Sequence, residues 1–377
     1  YQAESPISIT KELTFIGGYS PDDWNVRETN ADWAIDGSGT SYATELRVPV
    51  TDAGRTLDVS GAPGQPVIDG FTIIGPAGTD SAALQLYDTD ALIRSCSIEG
   101  AQADSSIGAV LYVSSSTIEK CFISGGTNNY STALFAYQAE TPVIRECVID
   151  GGHGSQTSAV KLIDSNAVID RNEIDGGDGN IDAAGLYVET GSNATIRNNL
   201  VYGGSGRSTF GIWINASSPK IQNNTIDGGT ADGVFSDSIG AAIHHYASSA
   251  ATIENNILTV STGYNQFGIS LGDAGAVPSV IRNNCFYDQG ALTLYLDMDR
   301  DQNFISATQL DSEVAVASDN VDDGPSLDWA GNWNFTGTPP ASVTDGGINL
   351  SAEFTTDFAG ATRPSSSDPW SMGAYEY

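Results

Sequence analysis

Four side chains that could take part in acid–base chemistry occur in the repeated middle of this sequence. Lys161, Glu189 and His244 occupy short apolar segments at matching places, and Arg207 lies in a connecting stretch. A lysine or arginine can remove the α-proton of a uronate when a cation neutralises the neighbouring carboxylate. A hydrolase would need at least two carboxylates facing one bond, and the segments supply only Glu189. If the protein is an enzyme, these residues favour a polysaccharide lyase over a glycoside hydrolase.

The segments that position these residues belong to a repeat. A phrase occurs nine times, in steps of 25 to 32 residues; eight copies read Ile-x-x-(Asn/Cys)-x-(Ile/Val/Leu/Phe), and the first has Phe71 at the fourth place. A second short apolar segment, such as AGLYVE or FGIWIN, lies between successive phrases, and no stretch has helical periodicity. Strands repeated at this period predict a solenoid with one coil per repeat. Coils stacked at the ~4.8 Å strand spacing would form an all-β, parallel β-helix. The phrases begin at Ile68, Ile93, Ile118, Ile144, Ile169, Ile196, Ile221, Ile253 and Ile281.

A column of asparagines supports the same fold. The position falls at a bend, where we expect a left-handed backbone that asparagine tolerates. Stacked amides there could hydrogen-bond to one another inside the core. The asparagines of this column are Asn172, Asn199, Asn224, Asn256 and Asn284. With this column, the stretch from Val67 to Tyr287 resembles the right-handed parallel β-helix family, which is the fold of pectate lyases. The resemblance implies that carbohydrate would lie along the outer face of the first sheet.

Three of the four cysteines take the asparagine position in earlier coils. We predict that Cys96, Cys121 and Cys147 act as small buried apolar residues. One adjacent pair could form a disulfide, since neighbouring coils bring Cα atoms near the permitted range. Three in a row cannot all pair, so the chain is not a disulfide scaffold.

The unbroken repeat indicates one elongated domain with caps at both ends. Residues 1–66 read as an N-terminal cap and first coils, 67–302 as the regular coils, and 303–377 as a C-terminal capping segment. Caps are expected because the last coil of a solenoid presents unpaired strand edges. The C-terminal segment resembles the closing segment of secreted bacterial β-helix proteins found at the cell surface.

The charge balance limits the classes of partner. Fifteen basic residues against 47 acidic ones give a net charge of −32, so nucleic acid and anionic membranes are repelled. No apolar run reaches a transmembrane length, and no signal peptide is present at Tyr1. The sequence starts as a mature secreted protein would, and with the resemblance of the C-terminal segment this predicts a secreted protein on a bacterial cell surface.

An outward stripe with many aromatic residues is the best candidate binding surface. One outward position is read as Gln85, Leu111, Phe135, Lys161, Tyr187, Trp213, His244, Ser270 and Thr293. The position two residues later is read as Tyr87, Val113, Tyr137, Ile163, Glu189, Asn215, Tyr246, Gly272 and Tyr295. Flat rings stack on sugar faces while polar groups fix the hydroxyls.

The leading interpretation is therefore a polysaccharide-binding protein without catalysis. Its predicted ligand-binding residues are Phe135, Tyr137, Tyr187, Trp213, Asn215, His244 and Tyr246, with Asp232 and Asp237 from an inserted loop. The enzymatic alternative uses Lys161, Glu189, Arg207 and His244. A third alternative is a structural or adhesive surface protein whose stripe is covered by loops or by a protein partner.

One local motif has the spacing of a calcium ligand set. Asp297, Asp299, Asp301 and Asn303 alternate in DMDRDQN. An EF-hand is excluded, because Gln302 stands where its glycine is needed and Thr308 where its glutamate is needed. The motif predicts a simpler Ca²⁺ site that ties the last coil to the cap.

Overall fold

Three β-sheets wind around one axis to form a parallel β-helix, which confirms the predicted fold. In the computed structural model, the described residues are 7–11, 13–16, 44–47, 54–232, 238–261, 263, 265–287, 293–324, 339–365 and 368–377. Asp237 lies outside them. Pairing within each sheet is parallel, apart from one antiparallel pair at the C-terminal end of the first sheet.

A regular coil contributes one strand to each sheet, and in two coils the strand of the first sheet is preceded by a separate two-residue strand, Ser205–Gly206 and Thr230–Ala231. The strands of the first sheet are Ile7–Ile9, Gly54–Ser60, Asp80–Tyr87, Ser105–Tyr112, Thr127–Tyr137, His153–Ile163, Asp178–Glu189, Ser205–Gly206, Ser208–Asn215, Thr230–Ala231, Ile239–Tyr246, Asn265–Leu271, Thr293–Asp297 and Gln302–Phe304. Those of the second sheet are Thr14–Ile16, Val67–Asp69, Leu92–Arg94, Thr117–Glu119, Val143–Arg145, Val168–Asp170, Thr195–Arg197, Lys220–Gln222, Thr252–Glu254, Val280–Arg282 and Ala317–Ser318. Those of the third sheet are Thr44–Arg47, Phe71–Ile74, Ser97–Glu99, Phe122–Ser124, Val148–Asp150, Glu173–Asp175, Leu200–Tyr202, Thr225–Asp227, Ile257–Thr259 and Cys285–Phe286.

Two short helices, α1 (Ala307–Glu313) and α2 (Ala341–Thr344), follow the last coils. Ser306 caps α1, because its hydroxyl accepts a hydrogen bond from the backbone N–H of Gln309. Within the described parts of the chain, neither helix is long and apolar enough to span a membrane.

Stacked aliphatic side chains fill the interior. The repeated isoleucines pair in register in the second sheet, and each is fully buried. A buried aliphatic side chain contributes about 1.5–3 kcal/mol relative to an exposed one. The 25-residue period therefore places one such contribution at the same point of successive coils.

The asparagine amides hydrogen-bond from coil to coil. The Nδ2 of Asn172 donates to Oδ1 of Asn199 at 3.1 Å, and the same bond recurs at each step to Asn320. The left-handed backbone, however, is at the preceding residue, as in Asn198 (φ 52°) and Asn223 (φ 52°). The prediction that the column asparagines themselves adopt it is wrong.

The cysteines continue this column toward the N-terminus. Cys96, Cys121 and Cys147 are free thiols and buried. The backbone N–H of Cys96 points at Sγ of Cys121 (3.4 Å), and that of Cys147 donates to Oδ1 of Asn172 (2.9 Å). Sulfur therefore takes the acceptor place that an amide oxygen holds in later coils.

The C-terminal segment does more than close the end of the β-helix. Residues 302–324 pair with or pack on the last coils. Residues 339–365 and 368–377, here called the flanking segment, lie instead along the bend between the second and third sheets. They contact a second asparagine column, in which Asn223 donates to Ser371 O (2.9 Å), Asn255 to Ile348 O (2.8 Å) and Asn283 to Gly346 O (2.8 Å).

Arg363 anchors the flanking segment and is 1% exposed. Its Nη2 donates to Oδ1 of Asn198 and to the carbonyls of Gly373 and Ala374, each at 3.1 Å. Its Nη1 pairs with Glu376 at 2.8 Å. In each Asn-Asn pair, the first residue thus binds the flanking segment and the second joins the core column.

Candidate functional site

The outer face of the first sheet carries two rows of side chains in strict register. The first row is Asp58, Gln85, Val110, Phe135, Lys161, Tyr187, Trp213, His244, Ser270 and Leu296. The second row, two residues further along each strand, is Ser60, Tyr87, Tyr112, Tyr137, Ile163, Glu189, Asn215 and Tyr246.

Two of the coils were assigned wrongly from the sequence. Leu111 points into the core, and the outward positions are Val110 and Tyr112. In the last coil, Tyr295 is also in the core, and Leu296 rather than Thr293 is aligned with Ser270. A slip of one residue exchanges the two faces of a strand. The 25-residue step from Gln85 and Tyr87 would have identified Val110 and Tyr112 correctly.

The second row begins with three stacked tyrosines. The ring centroids of Tyr87 and Tyr112 are 5.3 Å apart and those of Tyr112 and Tyr137 are 5.2 Å apart, with interplanar angles of 15° and 20°. Tyr87 is 43% exposed. The ring of Phe135 in the first row lies 6.3 Å from that of Tyr137. Tyr112 and Tyr137 are half-buried, so each of the three side chains keeps part of its surface open to solvent.

A group of charged residues follows the tyrosines. The Nζ of Lys161 lies 3.4 Å from a carboxylate oxygen of Glu189 and 5.7 Å from the ring centre of Tyr187. Gln156 donates to Asp182 at 3.2 Å. Burial raises the pKa of Asp182, while Gln156 and the positive charge of Arg207 oppose that shift. Gln156 was not identified from the sequence, because it lies in a strand extension outside the repeated phrase.

Tyr187, Trp213 and His244 pack on one another instead of forming an open platform. The rings of Tyr187 and Trp213 are 4.9 Å apart at 50°, and those of Trp213 and His244 are 5.8 Å apart at 75°. With Phe210 and Phe267 they form a small apolar cluster outside the solenoid. Apolar side chains that contact each other there are removed from water, so less ring surface is open to a sugar than the sequence predicted.

His244 is 7% exposed, and its Nδ1 lies 2.7 Å from Ser270 Oγ. Burial lowers its pKa to about 4, so the ring is neutral near pH 7. Tyr246 is 45% exposed and Asn215 is half-buried, both in the second row. Asp232 follows the strand Thr230–Ala231 and lies on neither row.

The adjacent His245 points into the core, where Leu162, Val188 and Ile214 hold its place in other coils. Burial, and to a smaller extent the nearby His244, lower its pKa to about 3. The unfolded chain would protonate near 6.5, so folding is disfavoured as the pH falls from about 6.5 toward 3.

We expect His245→Leu to reduce this acid sensitivity. Between pH 7 and 4.5, the wild type should lose about 2–3 kcal/mol more unfolding free energy than the variant, since one pKa unit corresponds to about 1.4 kcal/mol. Urea unfolding at both pH values measures the difference, and exposed His153→Gln is the control. Equal pH dependence in wild type and His245→Leu would contradict the expectation.

The four predicted calcium ligands do not converge. The carboxylate of Asp297 is buried, pairs with Arg300 and accepts hydrogen bonds from the N–H groups of Asp299 (3.2 Å) and Arg300 (3.1 Å). Asp299, Asp301 and Asn303 are exposed. Among the described residues, no group of three or more His, Cys, Asp and Glu could hold a metal ion. The motif is a turn closed by its own arginine, so the calcium prediction finds no support.

The stacked coils form a parallel β-helix, and the outer face of its first sheet carries the candidate site. The chain belongs to the family described as the right handed beta helix region, whose model matches residues 82–258 and 153–320. No curated protein matches the chain.

Solved structures that resemble the chain share about a tenth of its sequence. A mutant of the periplasmic alginate epimerase AlgG is 10% identical, with 66% of this chain and 60% of that chain covered and a TM-score of 0.38. The tailspike gp49 of the Acinetobacter baumannii bacteriophage Fri1, a capsular polysaccharide depolymerase, is 10% identical. The match covers 90% of this chain and 57% of that chain, with a TM-score of 0.40. Pectate lyase Pel9A is 10% identical, with 99% of this chain and 98% of that chain covered and a TM-score of 0.38. The chain spans about 60% of the first two proteins.

Proposed function

We propose that this protein binds a polysaccharide along the outer face of the first sheet, from the coil of Tyr87 to that of Glu189. The carrying observation is the tyrosine stack, in which three aromatic side chains occupy one outward register in consecutive coils. Outward positions of a solenoid are ordinarily polar, because an aromatic ring that stays exposed to water gains no hydrophobic stabilisation.

The arrangement matches what a sugar chain needs. Tyrosine offers apolar ring area together with a hydroxyl that can donate or accept a hydrogen bond. Mutual stacking holds the rings in place before a ligand arrives, which reduces the ordering cost of binding. The Lys161–Glu189 pair, next along the face, adds charged donors and acceptors for sugar hydroxyls. The proposed location is the bacterial cell surface, where such polymers are found.

Tyr112→Ala removes the middle ring and should weaken retention on the bound polysaccharide about tenfold, since an aromatic contact contributes about 0.5–1.5 kcal/mol beyond its buried area. Affinity electrophoresis through neutral and uronate polysaccharides measures retention. Tyr130→Ala is the matched control, because Tyr130 is 58% exposed but lies outside the row. Equal losses in both variants, or no retention of the wild type, would contradict the proposal.

A lyase is the second candidate, supported by the position of the Lys161 Nζ, which lies 3.4 Å from Glu189 and 5.7 Å from the ring centre of Tyr187. Burial first, and then the charges of Asp182 and Glu189, raise the pKa of Tyr187. Perturbed titratable groups around one point are typical of proton-transfer sites. Release of unsaturated ends from a uronate polymer, abolished by Lys161→Ala, would establish catalysis. Retention without product would support binding alone.

A further inference from the structure

Arg55 differs in its charge pairing from the arginines of the second sheet. On the second sheet, arginines pair with carboxylates of the neighbouring coil, as Arg94 with Asp69 (2.9 Å) and Arg145 with Glu119. Arg55 is exposed and forms no ion pair with any residue that the structure describes. With 47 acidic residues against 15 basic ones, an arginine without a carboxylate partner among the described residues is unusual.

The side chain also stands at a cavity. A groove of about 310 Å³ opens on the outer face of the first sheet near its N-terminal end. Arg55 aligns with Ala82 and Ile107 in adjacent coils, in a row on the far side of Gln85 and Val110 from the tyrosines. The groove is lined by Gly54, Arg55, Asp80, Ser81, Ala82, Ser105, Ile107 and Val110.

Nearby carboxylates do not neutralise this arginine. The Oδ1 of Asp58 accepts hydrogen bonds from Ser60 and from Gln85 (3.2 Å), and Asp58 forms no ion pair with Arg55 among the described residues. Asp80 lines the groove but makes no ion pair with Arg55 in the part of the chain described. Between the groove and Tyr87, the outer face offers the half-buried Val110 and the amide of Gln85.

We infer that the Arg55 groove binds the anionic substituent of a glycan, a carboxylate or sulfate, whose sugar rings contact Val110 and the tyrosine edges. The inference rests on the proposed function and names its ligand class. A guanidinium presents several N–H donors in a plane that matches a carboxylate or sulfate. The general charge of the protein repels such a polymer, so an unpaired arginine is needed to hold it locally.

Matched polysaccharide pairs test this inference. Polygalacturonate and its methyl ester share one backbone and differ in charge, and dextran sulfate and dextran form a second pair. We expect the wild type to bind the anionic member of one pair about tenfold more tightly, as for a hydrogen bond to a charged group. Arg55→Gln should remove the preference without weakening binding to the neutral member, and Arg55→Lys should restore part of it.

Lys120→Gln is the control for net charge, because it removes the same unit charge from an exposed lysine at a bend on another side of the solenoid. Circular dichroism verifies that each variant is folded. Binding of neutral and anionic members alike by the wild type, or an Arg55→Gln variant that keeps the preference, would overturn the inference and leave the proposed function standing. If the wild type retains none of the polysaccharides, both the inference and the proposed function are wrong.

Discussion

Arg363→Met is expected to release the flanking segment from the β-helix. The substitution removes hydrogen bonds to Asn198, Gly373 and Ala374 and leaves the partly buried Glu376 without its cation. Breaking a buried ion pair by removing one partner costs about 3–5 kcal/mol. Opening of the segment should become at least about 10²-fold more frequent, because each 1.4 kcal/mol is a factor of ten.

Limited proteolysis in native buffer, followed by mass spectrometry, measures this opening through cleavage within residues 339–377. Lys220→Met is the matched control, since the Lys220–Glu353 pair joins the same segment to the same flank but is exposed. Exposed pairs contribute about 0–1 kcal/mol, so the control should be cleaved at nearly the wild-type rate. Equal cleavage of Arg363→Met and the wild type would show that Arg363 does not anchor the segment.

Asn224→Ala should destabilise the solenoid itself. The Nδ2 of Asn224 donates to Ile196 O (2.9 Å), Gln222 O (3.1 Å) and Asn256 Oδ1 (3.1 Å). Its Oδ1 accepts from the backbone and side chain of Asn199, both at 2.9 Å. Alanine leaves these buried groups unpaired at about 1–3 kcal/mol each, so we expect a loss of about 3–5 kcal/mol in unfolding free energy.

Urea unfolding compares this variant with Asn129→Ala, which changes an exposed asparagine. Asn224→Cys offers an intermediate case, because cysteine accepts the same backbone N–H in the coils of Cys121 and Cys147. Its stability should lie between that of the wild type and Asn224→Ala. A loss no larger than that of Asn129→Ala would mean that the amide column contributes little.

Much of the fold could be predicted because its cause is local and periodic. A buried isoleucine every 25 residues or so places strands in register, and parallel stacking follows from that repeat alone. The same regularity located Phe135, Tyr137, Lys161 and Glu189 on the outer face. It failed for Leu111, where two adjacent apolar residues made both faces look alike.

The remaining features depend on contacts that no period encodes. Arg363 binds Asn198 across 165 residues, and nothing in RPSSSDPW indicates that partner. The sequence did contain one sign of the flanking segment's binding surface, the first asparagine of each Asn-Asn pair. These asparagines are Asn198, Asn223, Asn255 and Asn283. Packing of Tyr187, Trp213 and His244 was also missed, since exposure of outward residues depends on neighbours from several coils.

The double asparagines have a consequence for how a molecule of this design can change in length. Duplication of one repeat in the cysteine-containing coils would add a strand to each sheet and leave every other contact intact. Duplication between Asn198 and Asn283 would shift Ser371, Ile348 and Gly346 out of step with their partners by one coil. Relatives of unequal length are therefore expected to differ in repeats before Asn198, while the number of coils beneath the flanking segment stays fixed.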